Sequence, residues 1–343
     1  MYRPEQHIFA FRLRRWADKD VLEGVSGRYT AIALIGLATE LEQDARDALR
    51  GQDPQDVCGR LVDAAEASDD IGQVALTLWA ARAWDNPKVS KALERLKRMD
   101  PVRTACPTVE LSWCLAALSI GGGRPVEESL ARAVAGRLLA AFRPQSSLFS
   151  HWPADVPNRS FRSHVACFAD LVYPIQSLSH YGRAAGCSEA LQAARACAQR
   201  MAQGQGPAGQ WWWHHDIRTH AVIEGYPVYA VHQDGMAPMA LRAVRDATGD
   251  DHTDAIRKGL DWLWRTPEIG GRSLIDRPAG VIWRKVARRE PGKISRALQA
   301  AASRVHPRLR LPVGWVFRPG KIDFESRPYH MGWLLHAFQP GRW

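Results

Sequence analysis

Six segments of the chain share one design, in which a polar or aromatic start leads into a helix that is apolar around most of its circumference. They are SGRYTAIALIGLATE from Ser26, SDDIGQVALTLWAARAW from Ser68, TVELSWCLAALS from Thr108, SHVACFADLVYPIQSLSHYGRAAG from Ser163, YPVYAVHQDGMAPMALRAVRDATG from Tyr226 and SRPYHMGWLLHAF from Ser326. Between them run amphipathic stretches with apolar residues at three- and four-residue spacing, such as PQDVCGRLVDAAEA, PKVSKALERLKRM and HTDAIRKGLDWLW. A helix apolar all round must be buried, whereas an amphipathic one can cover it from outside. Repetition of the pair about six times, at first roughly every 40 residues, predicts an all-α repeat architecture with few strands.

On these segments the chain resembles the α/α toroid proteins, in which inner and outer helices alternate around a closed ring. That superfamily includes the terpenoid cyclase and prenyltransferase repeat proteins and the six-hairpin glycoside hydrolases, polysaccharide lyases and sugar epimerases. The resemblance covers most of Ser26 to Phe338. It implies one α/α toroid domain over residues 1–343 with about six inner/outer pairs, and a basic insertion at 265–325 before the last inner helix. An open helical solenoid is the alternative reading of the same pattern.

Composition adds three constraints. A hydrophobic fraction of 46% and a charged fraction of 24% suit a folded globular chain. The N-terminus lacks a signal-peptide h-region, no run is long enough to span a membrane, and the six cysteines form no CxxC pair. Together these point to reduced thiols in the cytoplasm. The net charge of +10 is concentrated between Arg265 and Lys321, where 14 Lys/Arg stand against three acids. Bulky apolar residues among those cations suit peripheral contact with an anionic membrane at the inner face, with Arg284, Lys285, Arg288 and Arg289 as the expected anchor. Nucleic acid is disfavoured, since no zinc-finger, RRM or KH signature accompanies the charge.

Chemistry-bearing residues concentrate between Gly209 and Met239, which hold three Trp, two Tyr and four His. Closure of the ring would gather the polar first turns of the inner helices at one mouth, where free N–H donors and positive dipole ends favour anionic or oxygen-rich ligands. The expected acids, bases and proton carriers there are Asp70, Glu110, His232, Asp234 and His330. Arg28, Tyr29, Tyr173, Trp211, Trp213, Tyr226, Tyr229, Gln233, Arg327 and Tyr329 are the expected binding residues, with His164 and Asp170 at the same level. Tyr229, His232, Gln233 and Met236 are spaced to share one helix face. Asp69 and Asp70 precede a helix, where Ser68 or Asp69 would be the cap and Asp70 would complement the dipole. His214, His215 and Asp216, adjacent on a strand, do not converge on a metal, and neither metal nor cofactor is expected. The run Asp250–Asp254 reads as a polar loop capping an outer helix.

These residues suit an enzyme acting on a glycan or polysaccharide precursor, including a lipid-linked saccharide, by hydrolysis, elimination or epimerisation. Aromatic faces stack on sugar rings while carboxylates and imidazoles move protons. One alternative is a terpenoid cyclase-like or prenyl-transferring enzyme with an aromatic cation-stabilising cavity; the absence of a DxDD motif counts against it. The other is a non-catalytic helical protein for binding or assembly in surface-polymer biosynthesis.

Overall fold

The computed structural model describes residues 1–339 except 18, 121–124, 126 and 158–159. Its helices run in the order α1 (Gly27–Leu37), α2 (Glu42–Ala48), α3 (Pro54–Ala65), α4 (Ile71–Ala83), α5 (Val89–Arg98), α6 (Thr108–Ser119) and α7 (Glu128–Leu139). There follow α8 (Ala169–Ala185), α9 (Ser188–Gln203), α10 (Ala237–Thr248), α11 (Thr253–Trp264), α12 (Ile294–Val305), the one-turn α13 (Val313–Val316) and α14 (Pro328–Ala337).

The six apolar segments become the inner helices. α1 packs on α4, α4 on α6, α6 on α8, α8 on α10 and α10 on α14, while α14 returns to pack on α1. The ring therefore closes, and the open solenoid is excluded. The amphipathic helices α3, α5, α7, α9 and α11 lie outside it, each against the inner helix next to it in sequence. Closure depends on two glycines at the α1–α14 crossing. A methyl group on Gly36 would overlap the Gly332 carbonyl, and one on Gly332 would overlap that of Ile32.

Local chemistry sets where the inner helices begin. Ser26 caps α1 by accepting from the Tyr29 N–H, and Asp70 caps α4 by accepting from that of Gln73. Asp69, its neighbour, is fully exposed. Pro328 opens α14, where its missing N–H leaves nothing unsatisfied. Thr108 begins α6 without capping it; its hydroxyl donates instead to the Ser150 carbonyl. Two segments start later than the pattern predicts. The one from Ser163 first forms a strand, Val165–Cys167, and becomes helical only at Ala169. The one from Tyr226 passes through a cis Tyr226–Pro227 bond, the strand Val228–Tyr229 and a π-helical turn, His232–Met236, before α10. Pro238 cannot donate to the Asp234 carbonyl, which accounts for a break in regular α-helical bonding there. Tyr229 and His232 thus do not lie along one helical stripe with Gln233 and Met236.

Short antiparallel sheets fill the connections. Strand Val165–Cys167 pairs with His214–Asp216, which pairs with Val222–Glu224. Val228–Tyr229 pairs with Lys285–Arg288 and that with Pro319–Asp323, tying the basic segment to the chain ahead of α10. Glu325–Ser326 pairs with Arg12–Trp16. These residues lack the long alternation that marks a strand in sequence.

The bore of the ring is filled. Trp113 packs edge-on to Tyr173, Tyr173 against Trp333, and Trp333 against Trp79, with centroids 5.2, 5.8 and 5.4 Å apart. No described helix is long and apolar enough to cross a membrane.

Candidate active site

The N-terminal ends of the inner helices meet at one mouth. There Arg28, in the first turn of α1, donates from Nε to Asp70 Oδ2 at 2.5 Å and from Nη2 to Asp70 Oδ1 and to Glu110 Oε1, the last at 2.6 Å. Its guanidinium also lies over the Trp113 ring, 5.4 Å from the centroid. Three helices, α1, α4 and α6, thus join through one cation. Burial opposes the charge on Asp70, but the Arg28 hydrogen bonds and the Gln73 N–H outweigh it and hold the carboxyl below its ordinary range. Asp70 is accordingly held in its ionised form, which suits it poorly to donate a proton.

Across the mouth, Tyr29 stacks on Phe11 and packs against Tyr329, with centroids 5.3 and 4.7 Å apart. Arg327 donates to the Tyr29 hydroxyl at 2.6 Å and to Glu325. Glu325 is buried and also meets Arg12 and Arg284, each at 3.1 Å. Arg327 is therefore held by an internal carboxylate, as Arg28 is by Asp70 and Glu110, and a substrate anion would compete with that pairing at either cation. Arg284 faces the Tyr229 ring at 5.2 Å, and Tyr229 packs edge-on against Trp213.

Between the fifth and sixth inner helices, His330 and Asp234 form a buried pair, Nε2 to Oδ1 at 2.7 Å, while the second Asp234 oxygen has no protein partner. His232 is stacked on Phe168 at 4.3 Å. Burial pushes its pKa down to about 3, so the ring is neutral and serves as a wall. That removes the basicity expected of it as a proton carrier.

Four expected binding residues, and His164 at their level, are held within the fold. Gln233 donates to the Tyr229 carbonyl and accepts from the Trp211 N–H, bracing the π turn. Trp211 is fully buried behind that turn and does not form a rim. The Tyr226 hydroxyl donates to Glu268 at 2.9 Å. Tyr173 lies in the aromatic filling of the bore, below Trp113. His164 bonds to Ser303 in the following basic segment.

The structure adds a cavity of about 370 Å³ beside α8, lined by His151, Trp152, Ser160, Arg162, Cys167, Asp170 and His214 among others. Asp170 is fully buried and takes bonds from His151 Nδ1 at 2.9 Å and from the Cys167 N–H at 2.8 Å. The Asp170 carboxylate raises the His151 pKa, so His151 carries a proton more readily than a free imidazole. Backbone donation from Thr108 to the His151 carbonyl, 2.9 Å, fixes this loop on α6. Sequence reasoning missed His151, Arg162 and Arg284, because they sit in connections with no helical period. The HHD run was the available signal: it forms the strand expected of it and places His214 in the cavity. Among the described residues, His151, Cys167 and Asp170 offer ligand atoms within 4.8 Å of one another, a set able to converge on a cation.

A larger cavity, about 510 Å³, lies at the opposite mouth, where the inner helices end. Its Arg82 donates to the Ala117 carbonyl, and nearby Arg242 donates to Ala337, so these cations satisfy helix C-termini. The N-terminal mouth, with its carboxylates and imidazoles, is the better catalytic candidate despite its smaller volume.

No family model matches the chain, and no curated protein matches it. Among solved structures it is similar to the unsaturated glucuronyl hydrolase of Bacillus sp. GL1, described as responsible for glycosaminoglycan degradation, with TM-score 0.56, 11% identity, and coverage of 98% of this chain and 94% of that one. It is similar also to cellobiose 2-epimerase from Bacillus thermoamylovorans, with TM-score 0.58, 12% identity, and coverage of 97% and 92%. A possible GH105 member from Salmonella enterica matches with TM-score 0.55 at 11% identity over 95% and 86% of the two chains. Over nearly its whole length, then, the chain has the fold of these enzymes, the α/α toroid.

Proposed function

We propose that this protein is a carbohydrate-active enzyme whose substrate, an acidic saccharide, enters the N-terminal mouth. The observation that carries the reading is the Arg28–Asp70–Glu110 cluster, set among Trp113, Tyr29 and Tyr329 where three inner helices begin. Similarity in fold to a glucuronyl hydrolase and a sugar epimerase supports it. Aromatic faces would stack on sugar rings, and Arg28 would orient a carboxylate in competition with Asp70 and Glu110. Asp70 would act as base or nucleophile, with His330–Asp234 and His151–Asp170 as proton carriers.

Hydrolysis and epimerisation both suit these groups, a carboxylate held ionised and two imidazole–carboxylate pairs, and the products distinguish them. The terpenoid alternative loses ground because Asp70 and Glu110 are arginine-bound and partly exposed, not dry. We extend the proposal to a lipid-linked saccharide met at an anionic membrane through the basic segment.

The test is incubation of purified protein with uronate-terminated oligosaccharides in isotopically heavy water, followed by mass and NMR analysis of products. Hydrolysis places solvent oxygen on a new sugar terminus; elimination creates a carbon–carbon double bond; epimerisation inserts deuterium without cleavage. Absence of all three products refutes the enzymatic reading.

A further inference from the structure

We infer that α12 and α13 form a membrane-docking element that seats the N-terminal mouth on an anionic lipid surface, an inference that rests on the proposed peripheral membrane contact. α12 buries polar residues beside Ala300 and Ala302 and leaves larger apolar ones outside. Its buried positions include Ser295, Gln299 and Ser303, one polar stripe at four-residue spacing. Two of the three are satisfied from within, while the Ser295 hydroxyl has no protein partner. Gln299 donates to the Leu311 carbonyl and accepts from the Leu311 N–H at 2.8 and 2.9 Å, while His164 and Ser303 Oγ are 2.9 Å apart. The outward positions Ile294, Leu298 and Val305 are apolar, and Val305 is 81% exposed. Next to them α13 exposes Trp315 at 87% and Val316 at 74%. A surface helix in water turns its apolar stripe inward; this one satisfies the requirement only if its outer face meets something apolar.

Charge decides what that is. Residues 291–322 hold seven Lys/Arg and no acid. A second copy would set seven cations against seven, whereas anionic headgroups over acyl chains complement both the cations and the apolar stripe. Of the anchor first expected, Arg284, Lys285 and Arg288 are unsuitable, because they are ion-paired to Glu325, Asp323 and Glu224, whereas Arg289 is exposed. Within 291–322 the exposed cations are Lys293, Arg304, Arg308, Arg318 and Lys321. Placement links the element to the mouth. α12 packs on strand Val222–Glu224, and its Arg296 lies over Trp213, which stacks on His214 of the cavity.

The experiment is co-sedimentation of the full chain with vesicles of phosphatidylcholine alone and of phosphatidylcholine with phosphatidylglycerol. Wild type is expected to sediment with the anionic vesicles and to be released by salt. Val305→Asp with Trp315→Asp, both at exposed positions, should lower partitioning at least tenfold with unchanged circular dichroism, and Arg304→Glu with Arg308→Glu should do the same. Wild type that fails to sediment, or apolar-face variants that sediment equally, would overturn the inference. So would a vesicle-free dimer, seen by light scattering, that the variants dissociate. Turnover of a soluble oligosaccharide separates the two readings: an active enzyme that ignores vesicles defeats docking alone, and a vesicle-bound protein without turnover defeats the glycan reading alone.

Discussion

His330 Nε2 and Asp234 Oδ1 lie 2.7 Å apart across the seam between the π turn and α14. Both side chains are buried, and the other Asp234 oxygen has no protein partner. Asp234→Ala would strand the imidazole without its acceptor and should reduce stability by about 1 to 3 kcal/mol, read from urea unfolding. Asp234→Asn retains an acceptor and should cost less. If the pair moves a proton, both variants lose turnover by roughly 10²-fold or more; equal activity of Asp234→Asn and wild type would make the pair structural.

Stability should fall with mild acid. The folded-state pKa is pushed down by burial to about 3 for His232 and about 4 for His215, and well below the ordinary value for His214. Each takes up its proton in the unfolded chain near 6.5, before the folded chain does. Their stabilising effect is therefore complete above about 6.5 and drains away as pH falls toward their folded values. Three such groups give a slope of at most roughly 4 kcal/mol per pH unit. His232→Asn should remove about a third of it, measured by urea unfolding between pH 6.5 and 4; an unchanged slope would contradict neutral burial of this ring.

Arg28→Gln breaks the link between α1, α4 and α6 at the mouth. Asp70 would lose the guanidinium that holds its carboxyl down, so any acidic limb of the activity profile that belongs to Asp70 should move to higher pH. We expect kcat/KM for an acidic saccharide to drop about 10- to 100-fold, and that for a matched neutral one to drop less. Equal losses would assign Arg28 to scaffolding.

Gly332→Ala and Gly36→Ala test the ring seam. In each case the new methyl overlaps a backbone carbonyl of the facing helix. A backbone obstacle cannot rotate away, so each substitution should cost about 3 kcal/mol, seen as a lower unfolding midpoint. Gly136→Ala, whose methyl meets nothing within 4 Å, is the control and should leave stability unchanged or raised.

The ring order was legible because an inner helix must be apolar all round, and that requirement is written in every residue of its segment. Arg28, Asp70 and Glu110 were legible for the same reason: a charge in the first turn of an apolar helix has only the mouth to occupy. His151 and Arg284 were not, since they reach the site from loops whose course depends on backbone bonds such as Thr108 to His151 and Arg284 to Glu325. The shared face expected of Tyr229, His232, Gln233 and Met236 was misread because spacing along the chain assumes an unbroken helix, and Pro227 and Pro238 break it. α12 was read only as part of a basic insertion; which of its faces is buried became visible once the partners of Ser303 and Gln299 were known.

The aromatic column from Trp113 through Tyr173 and Trp333 to Trp79 leaves the two mouths without a passage between them. A polymer cannot be threaded through such a ring, and reactant and product must share one door. A glycan acted on at the N-terminal mouth would accordingly lie across that face, and its products would leave by the way it came.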